Sequence, residues 1–515
     1  MTGTYWMRKA RPWCQKKFAT DPGKTSEPGN CRAFLCLHIV VNIPVLHHWL
    51  LFCNLIFTPR PDSHAGQASE KPMKTAIKQF ILLILGTGMT HAALSDEITD
   101  DIAMEYENHL ADLFEHFHRN PELSFQEHAT AARMAEELRA AGFEVTEGIG
   151  RTGLVAIMEN GPGPMVAMRA DMDALPVQEN SGLSYASVAK QLNPDTGQED
   201  FVMHACGHDV HITSLIGTAR QLAKRRDQWS GTAMLFVQPA EEIGQGALAM
   251  ENDGLWERFG TPDYVLGFHV ASDKPAWTVN LLENDSPYAG VDMVDIIVHG
   301  IGAHGASPHA GKDPIVLASQ IVLALQTLVS RELPPRDAGV VTVGSFHSGT
   351  KHNIISDEAV LQLTVRNTKP ETREILLDGI RRIAENMGRV AGLPEELLPE
   401  LVIRESTTPP MMNDQALSRR LNAMWTERMG AEFLTQIVPT GMGGEDFAYY
   451  ATDPDIPTAF WRVGGTSAER LEAAESGGAP VPSHHSPLFW IEPEPSVRMG
   501  VESTVRAMLE LMPSR

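Results

Sequence analysis

The densest chemistry in the chain lies in the nonapeptide Met203-His204-Ala205-Cys206-Gly207-His208-Asp209-Val210-His211, which holds a thiol, three imidazoles and a carboxylate. Cys206 and His208 are two residues apart, so in an extended segment their side chains share a face and could grip one ion. Gly207 between them permits a tight turn. No cysteine follows Cys53 except Cys206, so this thiol has no disulfide partner within the folded body. A lone thiol flanked by imidazoles suits a metal ligand or a nucleophile. The plainer alternative is a buried free cysteine with His208 capping a helix, and the choice depends on the rest of the chain.

Further clusters follow short apolar runs. Asp171 and Asp173 come after Met165–Ala170, Glu241 and Glu242 after Ala233–Val237, and His269 after Tyr264–Phe268. His484 and His485 sit in the loop Pro482-Ser483-His484-His485-Ser486-Pro487. Each has an ordinary reading alone: aspartates cap turns, adjacent glutamates start solvated helices, and a single histidine is structural. Their recurrence at successive strand ends, where open α/β sheets bind ligands, points instead to a metal-assisted hydrolase. Neighbouring glutamates project differently, so one can ligate a metal while the other serves as general base. Two nearby divalent ions need a shared anionic ligand, which a thiolate or a carboxylate can supply.

The elements that must position these groups read as an α/β fold. From Asp96 to Ala141 the pattern is helical, broken at Asn120-Pro121. Short, almost uniformly apolar strands then alternate with helices, which predicts a mixed, largely parallel sheet covered on both faces. From 289 to 408 the order becomes strand Asp292–Gly300, helix Asp313–Glu332, strands Gly339–Phe346 and Glu358–Asn367, helix Glu371–Val390 and strand Leu398–Glu405. That β-α-β-β-α-β order predicts a compact α+β domain inserted between two catalytic segments, 93–288 and 409–515.

The net charge of −23 argues against nucleic acid and anionic membrane as partners. The first 92 residues differ from the rest, with 11 Lys and Arg against 4 Asp and Glu, leaving 31 against 61 in the remainder. Here Met73-Lys74-Thr75-Ala76-Ile77-Lys78, the apolar run Phe80–Leu85 and Thr90-His91-Ala92 read as a cleavable signal peptide over 73–92. Export to a periplasm or out of the cell is the expectation. Residues 1–72 read as a spurious upstream extension. The apolar run Ala33–Phe57 is interrupted by Asn42, Pro44, His47 and His48 and makes a poor membrane helix; no stable span is expected in the mature chain.

Several motifs in this order resemble family M20 of metallopeptidases and amidohydrolases, in the branch that contains hippurate hydrolase and indole-acetyl amino-acid hydrolases. They are Pro121-Glu122-Leu123-Ser124-Phe125, Arg169 to Pro176, His204 to Asp209, Gln238-Pro239-Ala240-Glu241-Glu242, His304 to His309, Gly443-Gly444-Glu445-Asp446-Phe447 and His485-Ser486-Pro487. The resemblance runs from about Asp96 to the C-terminus. It implies two divalent metal ions held by Cys206, His208, Glu242, His269 and His485, with Glu241 as catalytic base and Asp173 orienting a ligand imidazole. His484 makes the last ligand ambiguous by one residue; the Ser-Pro that follows selects His485. The segment Val188–Phe201 is longer than the branch pattern and could reshape the site's rim.

The inserted segment resembles the family's lid and dimerisation domain, which implies a homodimer. There His304 matches a histidine that reaches the partner subunit's site, and Asn353 and Arg366 match substrate-binding positions. Leu361, Leu363 and Val365 alternate with Gln362, Thr364 and Arg366, which independently puts the arginine on a polar strand face. The expected activity is hydrolysis of an N-acyl amino acid, a small-molecule substrate, to a carboxylic acid and a free amino acid. A dipeptidase or carboxypeptidase is the rival within enzymes, and a metal-retaining binding protein the rival outside them. The thiolate favours zinc, while the other ligands also suit manganese, cobalt or nickel.

Overall fold

The computed structural model describes residues 97–514 except 195, 405–406, 439 and 453. The signal segment 73–92 and the extension 1–72 lie outside the described residues. Helical chain runs through Glu97–Glu105, a π-turn at Tyr106–Leu110 and Ala111–Arg119. It stops at Asn120 because the residue before a proline is disfavoured in helical backbone. Helix His128–Ala140 follows and buries Met134, Ala135 and Leu138.

The large sheet has seven strands in the spatial order Glu144–Ile149, Gly153–Asn160, Gly231–Gln238, Met165–Asp171, Tyr264–Pro275, Thr458–Thr466 and Val279–Asn280. The sheet is mixed. Its four central strands, from Gly231–Gln238 to Thr458–Thr466, run parallel, and the outer pairings are antiparallel. In Gly231–Gln238, Ala233, Leu235 and Val237 belong to one hydrophobic cluster and Met234 and Phe236 to another. A strand buried on both faces has to be apolar at every position. Helices His208–Lys224 and Pro493–Leu511 cover the first face through Val210, Leu215, Val501 and Val505. Phe447, Tyr450 and Trp256 cover the second.

The chain leaves this body near Val291 and rejoins it at Thr408; the two residues exchange backbone hydrogen bonds of 2.9 Å in each direction. Between them Gly339–Ser348, Glu358–Asn367, Gly290–His299 and Glu400–Ile403 form a second, antiparallel sheet in that order. Its aliphatic core includes Val294, Ile296, Leu361, Leu363 and Val365, with Leu317, Ile321 and Leu325 from helix Pro314–Thr327 and Leu376 and Ile380 from helix Pro370–Val390. The helical segment Pro314–Glu332 is, among the described residues, the one long and apolar enough to cross a bilayer by length and composition. It buries one side on this sheet and leaves Ile315, Val316, Leu323 and Val329 exposed.

Candidate metal centre

The carboxyl ends of the central strands and the loops beyond them bring the candidate ligands together. Gly207 has φ 85°, and a Cβ there would lie 2.4 Å from Val270 Cγ1. Only glycine lets the turn press Cys206 against strand Tyr264–Pro275 while His208 opens its helix. Cys206 Sγ then lies 3.4 Å from His269 Nε2 and 3.7 Å from His484 Nδ1. Two groups of potential ligand atoms, Cys206-Glu242-His485 and Cys206-His269-His484, each fall within 4.8 Å of one another and share the thiol. A third such group is His208-Glu241-Glu242.

Hydrogen bonds decide which ring nitrogens are free. His208 Nδ1 donates to the Asp173 carbonyl at 2.8 Å, which leaves Nε2 as the nitrogen that offers a lone pair once its proton is displaced by a metal. His269 Nδ1 donates to the Val270 carbonyl at 2.6 Å, so its Nε2 also offers a lone pair, toward Cys206. His211 is occupied at both nitrogens: Nε2 accepts from the Val270 amide at 2.9 Å and Nδ1 donates to Asp171. It therefore holds Asp171 rather than a metal. His484 Nε2 accepts from the Ser272 amide at 3.3 Å, which puts its proton on Nδ1, facing the sulfur. His485, with positive φ (66°), keeps Nε2 3.3 Å from Glu242 Oε2.

The charge balance calls for cations. Arg169 is fully buried and donates to Asp171 (2.7 Å), Glu445 (2.8 Å) and Asp446 (3.3 Å). One guanidinium thus faces three carboxylates, with Glu241 and Glu242 close by. Burial, then the neighbouring Glu445 and Glu242, push Glu241 well above the usual carboxylate range. Burial and the nearby Asp173 and Asp171 raise Glu242 to about 8 against the pull of His208. Burial, then Glu242 and Glu241, push the Cys206 thiol well above its ordinary value. At His208 burial is outweighed by Asp171 and Asp173, and the imidazole rises to about 10. Such a field favours bound positive charge. His208 Nε2 and Glu242 Oε1 are buried without a hydrogen-bond partner. Unpaired imidazole and carboxylate lone pairs beside a thiol are the donor set of a transition-metal site.

Behind the ligands stands a brace that motif reading passed over. Ser124 Oγ donates to Asp173 Oδ2 at 2.7 Å, and the same oxygen accepts from the Glu242 amide at 3.0 Å. Glu127, fully buried, accepts from Thr152 Oγ1 at 2.6 Å and from the Ala240 amide at 2.9 Å. Ala240 has φ 51°, a conformation unfavourable for a residue with a Cβ, and its anchored amide fixes where Glu241 and Glu242 point. The signal available in the sequence was the run Pro121 to Glu127 itself, rich in polar groups directly after a helix break.

A cavity of about 830 Å³ opens on the cluster and is lined by Cys206, Glu241, Glu242, His269, His485 and Arg366, among others. Arg366 reaches it from strand Glu358–Asn367, where Leu361, Leu363 and Val365 are buried and Gln362, Thr364 and Arg366 lie on the opposite face. His304 and Asn353 are not brought there. They are exposed neighbours on the strand pair Ala303–His304 and Ile354–Ile355, where the Gly305 amide donates to the Asn353 carbonyl at 2.9 Å. The longer segment Val188–Phe201 forms the hairpin Lys190–Leu192 and Glu199–Phe201; it contributes no residue to the cavity lining.

A mixed sheet with a thiol, imidazoles and paired glutamates at its strand ends, overhung by a lid sheet, defines a metal-dependent hydrolase. The sequence profile of peptidase family M20/M25/M40 matches residues 167–476, and the chain belongs to that family. It is 38% identical over 352 residues to a hippurate hydrolase from Campylobacter jejuni, covering 67% of this chain and 85% of that one. It is 36% identical over 361 residues to thermostable carboxypeptidase 2 from Saccharolobus solfataricus, covering 68% and 88%. In structure it resembles a dinuclear metal-binding M20 peptidase from Bacillus subtilis, with a TM-score of 0.65, 28% identity, and coverage of 80% of this chain and all of the other.

Proposed function

We propose that the protein is a dinuclear amidohydrolase that cleaves N-acyl amino acids to a carboxylic acid and a free amino acid. The observation that carries this reading is the convergence of Cys206, His208, Glu242, His269 and His485 around free lone pairs, with Glu241 alongside and Arg366 in the same cavity. Those five residues would hold the ions. The thiolate favours zinc over manganese, cobalt or nickel, and the ions would polarise the scissile carbonyl and lower the pKa of water. Glu241, its side chain 10% exposed to the cavity, takes the proton from the attacking water. It then returns that proton to the leaving nitrogen, a role its raised pKa suits. Asp173 holds His208 through its backbone carbonyl. Arg366, whose only protein acceptor among the described residues is Thr364 Oγ1, receives the substrate α-carboxylate in charge-assisted hydrogen bonds.

A panel of acetyl, benzoyl and indole-acetyl amino acids, assayed on chelated protein with each metal restored, tests the reading. Metal-dependent release of free amino acid is expected, and no turnover with any member would overturn it. The carboxypeptidase relative supports a second reading in which the acyl pocket takes a peptide; blocked dipeptides in the same panel separate the two.

The lid, proposed to span 289–408, is read as pairing two chains. The exposed apolar side of Pro314–Glu332 and the unpaired edge strand Gly339–Ser348 favour a two-fold contact. Pairing would let His304, remote from its own cavity, serve the partner's oxyanion, with Asn353 beside it for substrate. His304→Ala and Glu241→Gln should each be nearly inactive. Coexpressed, they should recover up to about half of wild-type activity per heterodimer, because one site is whole; background activity would sink the idea. Export rests on the signal-like residues 73–92 alone, and mass analysis should find an N-terminus near Ala93.

A further inference from the structure

Two arginines line the cavity, and the proposed reaction uses one. Arg462 lies in strand Thr458–Thr466 in register with His269 on the neighbouring strand, so the two side chains leave the sheet on the same face. Its guanidinium sits 4.7 Å over the Tyr288 ring, and Nη2 donates to the Pro287 carbonyl at 2.9 Å. Its Nε is buried without a partner. Among the described residues neither Arg462 nor Arg366 forms an ion pair with a carboxylate, whereas the buried Arg169, Arg225 and Arg506 are all so paired.

The wall between the two guanidiniums is continuous. Tyr288, beneath Arg462, comes within 3.8 Å of where a Gly443 Cβ would stand, and Arg366 Nη1 within 3.5 Å of a Gly444 Cβ. At Gly444 that Cβ would also meet Val291 Cγ2 at 2.5 Å. Gly443 and Gly444 themselves line the cavity, so the wall runs from one guanidinium to the other, and neither of these has a carboxylate partner. A half-buried guanidinium with no carboxylate partner gains from an anion that reaches it in a cavity.

We propose that Arg462 is a specificity residue that pairs with a second substrate carboxylate, so the preferred substrates carry one carboxylate for Arg366 and another for Arg462. This rests on the amidohydrolase reading above. The second carboxylate can come from the amino-acid side chain or from a dicarboxylic acyl group, since both reach along the same wall.

The experiment compares kcat/KM for N-acetyl-L-glutamate with N-acetyl-L-glutamine, and for N-succinyl-L-alanine with N-butanoyl-L-alanine. In the wild type at least one pair should favour the carboxylate about 10- to 100-fold, as expected where a half-buried cation otherwise has no carboxylate partner. The favoured pair identifies the source. Arg462→Gln should bring that ratio to within about threefold of unity, and Arg462→Lys, which keeps the charge but loses the planar fork, should restore part of it. A wild-type ratio near unity in both pairs, or a preference that survives Arg462→Gln, overturns the inference. If no substrate turns over, the activity assignment has failed instead. Calorimetric binding of N-acetyl-L-glutamate against N-acetyl-L-glutamine to wild type and Arg462→Gln then decides the inference by the same ratio.

Discussion

The two sheets are both antiparallel at their edges and both covered by helices, yet they differ in how much charge they bury. At the strand ends of the large sheet Arg169, Asp171, His208, Glu445 and Asp446 are all buried. The lid core is aliphatic from Val294 to Ile380; its buried acids Asp292 and Asp295 are each met by a more exposed arginine, Arg373 and Arg404, and pairs such as Arg382–Glu332 and Arg389–Glu395 lie at the surface. Buried charge is costly and seldom needed for stability alone. Under the proposed function, the large sheet retains it because five ligands and a base have to face one point. Of the lid residues singled out in the sequence, Arg366 lines the cavity, while His304 and Asn353 lie exposed away from it.

The largest expected effect tests whether the charged sheet contains a base as well as ligands. Glu241→Gln should lower kcat by about 10²–10⁴ while both metals stay bound. Glu242→Gln should lose metal as well as activity. Metal content by elemental analysis beside single-turnover kinetics checks the pair, and the reverse pattern would mean that the two glutamates have exchanged roles.

Next in size is the stability of the two interiors. Arg169→Met leaves Asp171, Glu445 and Asp446 without their cation and should cost about 3–5 kcal/mol. Leu361→Ala in the lid should cost about 2–5 kcal/mol through its cavity. Their pH dependence separates them. Despite burial, Arg169 is the foremost group holding Asp171 well below the usual carboxylate range, so ionised Asp171 stabilises the fold above its unfolded pKa near 4, and that contribution fades as pH falls. Without Arg169 this contribution shrinks. Melts of metal-stripped Arg169→Met should therefore lie further behind wild type at pH 6 than at pH 3. The Leu361→Ala deficit should be flat across that range, and a flat deficit in both variants would mean that Arg169 acts by packing alone.

What could be read in advance follows the same division. The clustering of candidate ligands at strand ends was legible because apolar runs mark the strands and the chemistry falls just beyond them, as with Glu241 and Glu242 after Gln238-Pro239-Ala240. The alternation Leu361 to Arg366 was legible because a strand's period is two. Arg169 was visible only as a charge inside an apolar strand; its partner Glu445 stands 276 positions away, and no local pattern links them. His211 and His208 look alike in sequence, and only the Val270 amide and Asp171 show that His211 is already occupied. The choice between His484 and His485 rests on one amide, that of Ser272. Arg462 gave no signal, because its proposed role depends on having no carboxylate partner.

The smallest expected effect compares one ion pair from each region. His118, on helix Ala111–Arg119, is buried with Nδ1 2.6 Å from Asp209 Oδ2 and Nε2 3.2 Å from Glu179 Oε1. Burial works against its charge, but the two carboxylates outweigh burial and raise it to about 9. The same contacts hold Asp209 and Glu179 below their usual range, despite burial. A raised histidine stabilises the fold fully below its unfolded pKa near 6.5, and that contribution is lost as pH rises through about 9. The lowered acids contribute above their unfolded values near 4, and that part is lost as pH falls. His118→Gln should therefore cost most between about pH 5 and 6.5, on the order of 2–3 kcal/mol, and progressively less toward pH 9.5. In the lid, Arg382→Ala removes an exposed pair and should change stability by no more than about 0.5 kcal/mol, evenly from pH 5 to 9. Thermal melts of both variants across that range check the contrast. If the His118→Gln deficit were as flat as that of Arg382→Ala, the histidine would be neutral in the folded protein, and the charge surplus of the large sheet would end at the metal centre.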